Sequence, residues 1–288
     1  MKTVKSKLKD ITLSHSSANL LRGCEQKYVY YKVLGIEKDS DSEQSEDNFN
    51  VGKAVHFILE QMLHEFNEPD FFTWLERAGL EFDINHKIEL VAALAFRLFK
   101  LHKKEGLHVV ECEYRIHTNH VLGYVDLIAS DDAGGWWIID VKTAAKLYDF
   151  TVAKLHNDYQ LNLYAAHYKL IAKDLKLDPD KFLGCRYRVV TKSRAALKKD
   201  EQILSYIKRT QKGISALEVI VPVAMMKPDA VLKEHRALWR RAKKLHEGSK
   251  AQCNYGHCSS FFRPCEYWSK CHGDIFTNAK DELEIHEY

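Results

Sequence analysis

The chain has 288 residues, 45% of them hydrophobic and 29% charged. That balance buries a substantial core and excludes a disordered chain, a collagen-like repeat or a disulfide miniprotein. Net charge is only +3, but residues 192–250 hold 15 Lys and Arg against 6 Asp and Glu, and a basic stretch in a near-neutral chain points to a polyanion-facing surface.

In chain order, residues 14–36 open with serine-rich capping chemistry and continue as a short aromatic-rich helical segment. Residues 38–50 are acidic and serine-rich and read as a mobile loop or linker. Val55, Ile58, Leu59, Met62, Leu63 and Phe66 then recur at helical spacing, which predicts an amphipathic helix over 51–66. Two more helices follow at 70–80 and 85–104. The period then changes to that of strands at 108–118, 121–130 and 136–144, separated by turns containing Asn119 and Gly134–Gly135. Residues 152–174 return to a helical pattern, and 182–192 read as a fourth strand. A fifth at 214–226 is confined to an edge or a bulge by Pro222. Residues 228–247 form a basic helix, and a cysteine-rich segment ends the chain.

This order predicts an α/β protein with a mixed β-sheet core flanked by helices. It divides into a helical N-terminal region (1–107), a core (108–250) and a cysteine-rich C-terminal segment (251–288) packed with the core. No apolar run approaches the ~18 residues that span a bilayer, and the start MKTVKSKLKD has no apolar stretch behind its lysines. The expectation is a cytoplasmic protein without a membrane partner, whose seven cysteines stay reduced.

Asp140 and Lys142 end the third strand, and side chains at i and i+2 share a face. Asp126 lies near the end of the preceding strand, where a hairpin could bring it alongside. Two carboxylates beside an ammonium suit phosphodiester hydrolysis. The carboxylates hold one or two divalent metals, Mg²⁺ or Mn²⁺ rather than Zn²⁺, and the lysine offsets charge on the nucleophile or the transition state. Taken alone, His56 reads as a helix-boundary histidine. Glu60 and His64 read as solvated, and Glu111 and Glu113 as surface strand positions, with support of a second metal by either as the alternative. Cys112 and Cys185, inside apolar strands, read as buried small hydrophobes.

Taken together, these residues resemble the PD-(D/E)xK nuclease superfamily over most of the chain. The resemblance is to the branch of the RecB C-terminal nuclease, the AddB nuclease and the CRISPR adaptation nuclease with an iron–sulfur cluster. Gly52-Lys-Ala-Val-His56 is similar to the family's G-x-x-x-H helix, whose histidine binds metal. Gly123-Tyr-Val-Asp126 resembles the motif of the first catalytic aspartate, and Asp140-Val141-Lys142 the D-x-K motif, in which the carbonyl at the Val141 position also binds metal. Gln160-Leu-Asn-Leu-Tyr164 resembles the Q-x-x-x-Y helix, which contacts DNA and supports the site. The resemblance implies a restriction-endonuclease-like fold and a Mg²⁺- or Mn²⁺-dependent deoxyribonuclease. Catalysis falls to Asp126, Asp140 and Lys142, and metal binding to His56, Asp126, Asp140 and Val141.

Four soft ligands at short loop spacings suit an iron–sulfur cluster or zinc. Cys258, Cys265 and Cys271 stand close together, and Cys24 lies more than two hundred residues upstream. The arrangement resembles the branch in which one N-terminal and three C-terminal cysteines hold a structural [4Fe–4S] cluster. Six residues separate Cys258 from Cys265, where the family usually has two. The third ligand is therefore open between Cys258 and Cys253. Zinc, with His257 or His272 as substitute ligands, and an empty site also stay open. In a nuclease, Arg240 and Arg241 of the basic helix contact DNA phosphates.

The function expected is a DNA exonuclease acting from free ends in recombination, repair or phage DNA metabolism, with any helicase partner on a separate chain. The alternative is a non-catalytic DNA-end-binding or adaptor module with a metal-stapled fold.

Overall fold

A computed structural model describes residues 11–36, 43–144, 157–192, 195–260 and 263–272. In chain order the elements begin with α1 (His15–Gly23), α2 (Glu25–Tyr28) and a π-helical turn (Val29–Val33). Next come α3 (Glu43–His64), α4 (Glu68–Glu81) and α5 (Ile88–Glu105), followed by β1 (His108–His117), β2 (Leu122–Ser130) and β3 (Trp136–Ala144). The second half contains α6 (Tyr159–Ala165), α7 (Tyr168–Leu175), β4 (Phe182–Thr191), α8 (Ile203–Thr210), β5 (Ala216–Pro222) and α9 (Pro228–His246). The strands β6 (Ser259–Ser260) and β7 (Arg263–Pro264) and the helix α10 (Trp268–His272) complete it. The chain divides into two compact units, one of residues 43–234 and one of residues 1–42 with 235–288.

The larger unit is built on a five-stranded sheet in the order β1-β2-β3-β4-β5. The pairs β1–β2, β2–β3 and β4–β5 are antiparallel, whereas β3–β4 is parallel. A parallel step needs a crossover, which is why α6 and α7 lie between β3 and β4 in sequence. The result is the mixed α/β sheet flanked by helices that the residue pattern predicts. Pro222 ends the edge strand β5, where its missing N–H removes no ladder bond.

On one face of the sheet, α3, α4, α5 and α8 bury Val55, Ile58, Phe71, Leu94 and Tyr206 against Val141 and Val190. Helix α5 stops at Gly106, whose φ of 65° is the left-handed conformation that glycine adopts without strain. On the other face, Trp136 packs on Phe182 with ring centroids 4.6 Å apart, and Phe182 stacks on Tyr168 of α7 at 5.1 Å. Cys112 and Cys185 are buried in β1 and β4.

Three boundaries differ from expectation. Helix α3 starts at Glu43, so most of the stretch expected as a loop is helical. Asp47 anchors it through an ion pair with Lys87 and a contact with His86 Nε2 at 3.0 Å. The helix expected over 152–174 is two helices, α6 and α7, divided at Ala166–His167, and its first residues lie outside the described part. Helix α8 was not expected at all; it buries Tyr206, Ile207 and Thr210.

In the smaller unit, the two chain ends are bound to each other. Glu25 accepts from Arg241 at 2.6 and 2.5 Å and from the Gln252 amide at 2.8 Å. The Trp239 indole donates to the Ile11 carbonyl, Tyr30 to that of Lys270, and Tyr267 to that of Ile36.

Candidate active site

The β2–β3 ladder pairs residues as far as Leu127 with Ile139. One step further stand Asp126 and Asp140, where the strands part and expose backbone groups to side chains. Asp126 uses this opening: its Oδ2 accepts from the Val141 amide at 2.7 Å, which fixes the carboxylate against β3. Asp140 is 1% exposed. Lys142 lies on its face of β3 and folds back, placing Nζ 3.0 Å from Oδ1 and 2.8 Å from Oδ2. Burial opposes charge on Lys142, but Asp140 and then Asp126 outweigh it and hold the amine protonated well above the usual lysine range. Burial and then Asp126 push the Asp140 carboxyl up to about 7, and Lys142 is the neighbour that favours its charged form.

The third component comes from α3. The apolar stripe of this helix sits on the sheet, and His56 at its edge reaches the same opening. His56 Nε2 lies 3.0 Å from the Val141 carbonyl oxygen. Its Nδ1 lies 3.5 Å from Asp126 and 3.7 Å from Glu113. Burial lowers the affinity of this imidazole for a proton, yet Asp126 and Glu113 together raise its pKa to about 9. The ring thus sits where the surrounding field favours a cation.

Glu113 corrects the reading of that position as a plain surface strand residue. The register places it opposite Asp126, between the pairs Cys112–Leu127 and Tyr114–Val125. Its φ of 49° lies in the left-handed region, which costs a non-glycine residue about 1–3 kcal/mol. In that conformation its carboxylate meets His56 and Asp126, with one ligand atom from each of the three within 4.8 Å of the others. The cleft beside them is also lined by Glu60. Burial, then Glu113, raises the Glu60 carboxyl, so Glu60 is an edge of the site rather than a solvated surface group.

The donor set of one imidazole, carboxylate oxygens and a backbone carbonyl fits a hard divalent cation. Mg²⁺ and Mn²⁺ favour such oxygen-rich sites. The neighbouring Asp126 and Asp140, with Lys142 beside them, match this chemistry better than a structural zinc site would.

Helix α6 covers the opening. Asp158 caps it, accepting from the Leu161 amide at 2.8 Å. Gln160 then donates to the Tyr164 hydroxyl at 3.0 Å. Gly123 explains itself here, since a Cβ on it would lie 2.8 Å from Cε1 of Tyr164. The glycine seats the tyrosine ring, and Asp140, Asp126 and Lys142 all act on the hydroxyl of Tyr164.

In the smaller unit, Cys24 lies between α1 and α2. Burial first, then the thiols of Cys265, Cys24 and Cys253, raises the Cys258 thiol. Burial and Cys253 raise Cys271 to about 11, and Cys24 also acts on it. Cys24, Cys253 and Cys265 thus lie within electrostatic reach of Cys258, and Cys24 and Cys253 within reach of Cys271. All seven cysteines are free of disulfides. Cys24 and Cys258 are buried, whereas Cys253, Cys265 and Cys271 are half-buried. A group of thiols within reach of one another fits a thiophilic metal, which would bind them as thiolates.

The two arginines diverge. Arg240 is exposed. Arg241, expected on DNA, is instead held by both carboxylate oxygens of Glu25 and by the Lys250 carbonyl. Its forked guanidinium is already matched by a carboxylate, which makes it an anchor of the chain ends.

A family model described as the PD-(D/E)XK nuclease superfamily matches residues 12–272. No curated protein matches the chain. No helix among the described residues is long and apolar enough to cross a membrane.

Proposed function

Since the chain belongs to the PD-(D/E)XK nuclease superfamily, we propose that it is a Mg²⁺- or Mn²⁺-dependent deoxyribonuclease that degrades DNA from its ends. The observation that carries this reading is the meeting of Asp126, Asp140, Lys142 and His56 at the opening between β2 and β3. A nuclease of this superfamily uses a divalent metal, and His56, Asp126, Asp140 and the Val141 carbonyl are the groups that would hold it, with Glu113 alongside. When bound, the metal polarises the phosphate and lowers the pKa of water.

The chain's own groups do the rest. Asp126 is aimed by the Val141 amide, and Asp140 is aimed by burial. The Lys142 ammonium offsets negative charge on the attacking oxygen and on the crowded phosphorus. Gln160 and Tyr164 contact the DNA strand, and exposed Arg240 adds backbone attraction. Hydrolysis joins the water oxygen to phosphorus and breaks the bond to the leaving sugar oxygen, which takes up a proton.

We assign the thiol group a structural metal, a [4Fe–4S] cluster before zinc, because Cys24 comes from one end of the chain and the other four from the opposite end. Such a metal adds a covalent link to a unit already tied by Glu25–Arg241. The cellular setting follows from the substrate: recombination, repair or phage DNA metabolism, with unwinding left to a separate helicase.

The test is cleavage of end-labelled linear DNA and of a covalently closed circle in Mn²⁺, beside a Lys142→Ala control. Loss of the linear DNA alone, absent in the control, is expected. Cleavage of the circle as well replaces the exonuclease with an endonuclease, and cleavage of neither by the wild type contradicts nuclease activity.

A further inference from the structure

Among the described residues of the larger unit, the exposed aromatic side chains are Phe49 and Tyr124, 63% and 48% exposed, and no others. Both flank the opening that holds His56 and Asp126. Phe49 lies seven residues before His56 on α3, close to two turns, so the two share a side of the helix. About one turn before His56, a Cβ on Gly52 would lie 3.7 Å from the Thr143 hydroxyl oxygen, which seats α3 at the end of β3, next to Lys142. Lys53, also exposed, places Nζ 4.3 Å from the centre of the Phe49 ring. Tyr124 comes from the sheet. It stands opposite Arg115 in the β1–β2 ladder, two residues along from Asp126 and Glu113. Tyr114 reaches Asp174 of α7, and Gly123 meets Tyr164 of α6. Strand neighbours alternate in face, so Tyr124 and Arg115 point the other way, to the side from which α3 brings His56. Arg115 is exposed as well. Single exposed apolar residues are common on protein surfaces. Here one ring from a helix and one from a strand come to the rim of the same site, each with a basic side chain beside it.

We infer that Phe49 and Tyr124 form a stacking platform for unpaired bases, so that the strand entering the site is single-stranded DNA. The inference rests on the nuclease reading of the site and deepens it. A ring stacks on the face of any base, whatever its identity, while a cation beside it holds the phosphate backbone. In a duplex the base faces are taken up by neighbouring base pairs, whereas a single strand can turn them outward. Charge favours the same occupant. The carboxylates of Asp126, Asp140 and Glu113 repel a polyanion, and Lys53 and Arg115 at their rim attract one. Phe49 and Tyr124 hold the strand and take no part in the chemistry, so their loss is read in affinity.

The experiment measures binding of a labelled single-stranded oligonucleotide, and of a blunt duplex of the same length, to full-length wild type, Phe49→Leu, Tyr124→Leu and Tyr124→Phe. No Mg²⁺ or Mn²⁺ is added, so that neither DNA is cut. Leucine keeps an apolar side chain and removes the ring, and both positions are exposed, so the melting temperature is expected to stay that of wild type. Wild type is expected to bind the single strand more tightly than the duplex. Each leucine variant is expected to lose about fivefold or more in single-strand affinity, on the scale of one stacked base, with duplex affinity within twofold of wild type. Tyr124→Phe keeps the ring and is expected to bind as wild type does. Single-strand affinity within twofold of wild type in either leucine variant overturns the inference. So does an equal loss on the duplex, a loss in Tyr124→Phe as large as in Tyr124→Leu, or a wild type that prefers the duplex. Cleavage of linear DNA in Mn²⁺ separates the two readings. A wild type no more active than Lys142→Ala overturns the nuclease reading and this inference with it. An active wild type whose single-strand binding survives both leucine substitutions overturns the inference alone.

Discussion

Glu113 combines two features that oppose folding when taken singly. Its backbone is left-handed inside a strand, and its carboxylate faces that of Asp126 across the β1–β2 pair. Like charges directly opposite in a sheet repel. A positive charge between them offsets the repulsion, and His56 occupies that place as a protonated ring. A divalent cation serves the same electrostatic need with more charge. Glu113→Gln is therefore expected to weaken Mn²⁺ binding roughly tenfold, in the range seen for groups supporting a metal site. Titration of the purified protein with Mn²⁺ checks this, and unchanged affinity contradicts a role for Glu113 at the metal. The pairing of Asp140 with Lys142 was legible because strand alternation and the D-x-K spacing put them on one side, whereas His56 taken alone read as a helix-boundary histidine. Glu113 was not legible, since alternation alone points it to the surface, and nothing such as a glycine at 113 announces a left-handed turn.

At the scale of elements, long periodic segments and apolar strands were readable, and their ends were not. Residues 43–50 look like a linker by composition, yet Glu, Gln and Asp tolerate a helix, and Asp47 secures it by contact with His86 and an ion pair with Lys87. Tertiary contacts settled what local propensity left open.

The outer side of β4 shows the same control. Arg188, 2% exposed, donates to Glu218 at 3.0 Å, to His102 Nδ1 of α5 at 3.2 Å, and to Glu105. This network joins α5 to β4 and β5. His102 must be neutral to accept from Arg188, and burial, followed by Arg188, lowers its pKa to about 4. The unfolded chain, with an ordinary histidine near 6.5, then binds more protons than the folded one between these values. Stability from this group is full above about pH 6.5 and is lost as pH falls towards 4, by about 3 kcal/mol in all. His102→Asn keeps an acceptor that does not titrate, so its unfolding free energy should fall less steeply than that of wild type across this range. Denaturant unfolding at pH 7 and pH 4.5 measures the difference, and parallel losses in the two proteins contradict this account of His102.

Over the whole chain, the two ends of the sequence form one unit held by Glu25, Arg241, Trp239 and Tyr267, together with five clustered cysteines. The sequence signalled this through cysteine spacing, and Cys253 lies within electrostatic reach of both Cys258 and Cys271. With Cys24 as a ligand, Cys24→Ala purified without oxygen should lose its bound metal and, for a cluster, its visible absorbance. Metal content and spectrum unchanged from wild type would remove Cys24 from the ligand set, and zinc without iron in the wild type would replace the cluster with a zinc site.

The central claim is that the carboxylates where β2 and β3 part cut phosphodiester bonds. Asp140→Asn preserves shape and removes the buried charge, so its cleavage of linear DNA in Mn²⁺, compared with wild type at matched folding, is the most direct measurement. The account predicts cleavage abolished with the thermal melt retained; wild-type cleavage by Asp140→Asn would contradict it.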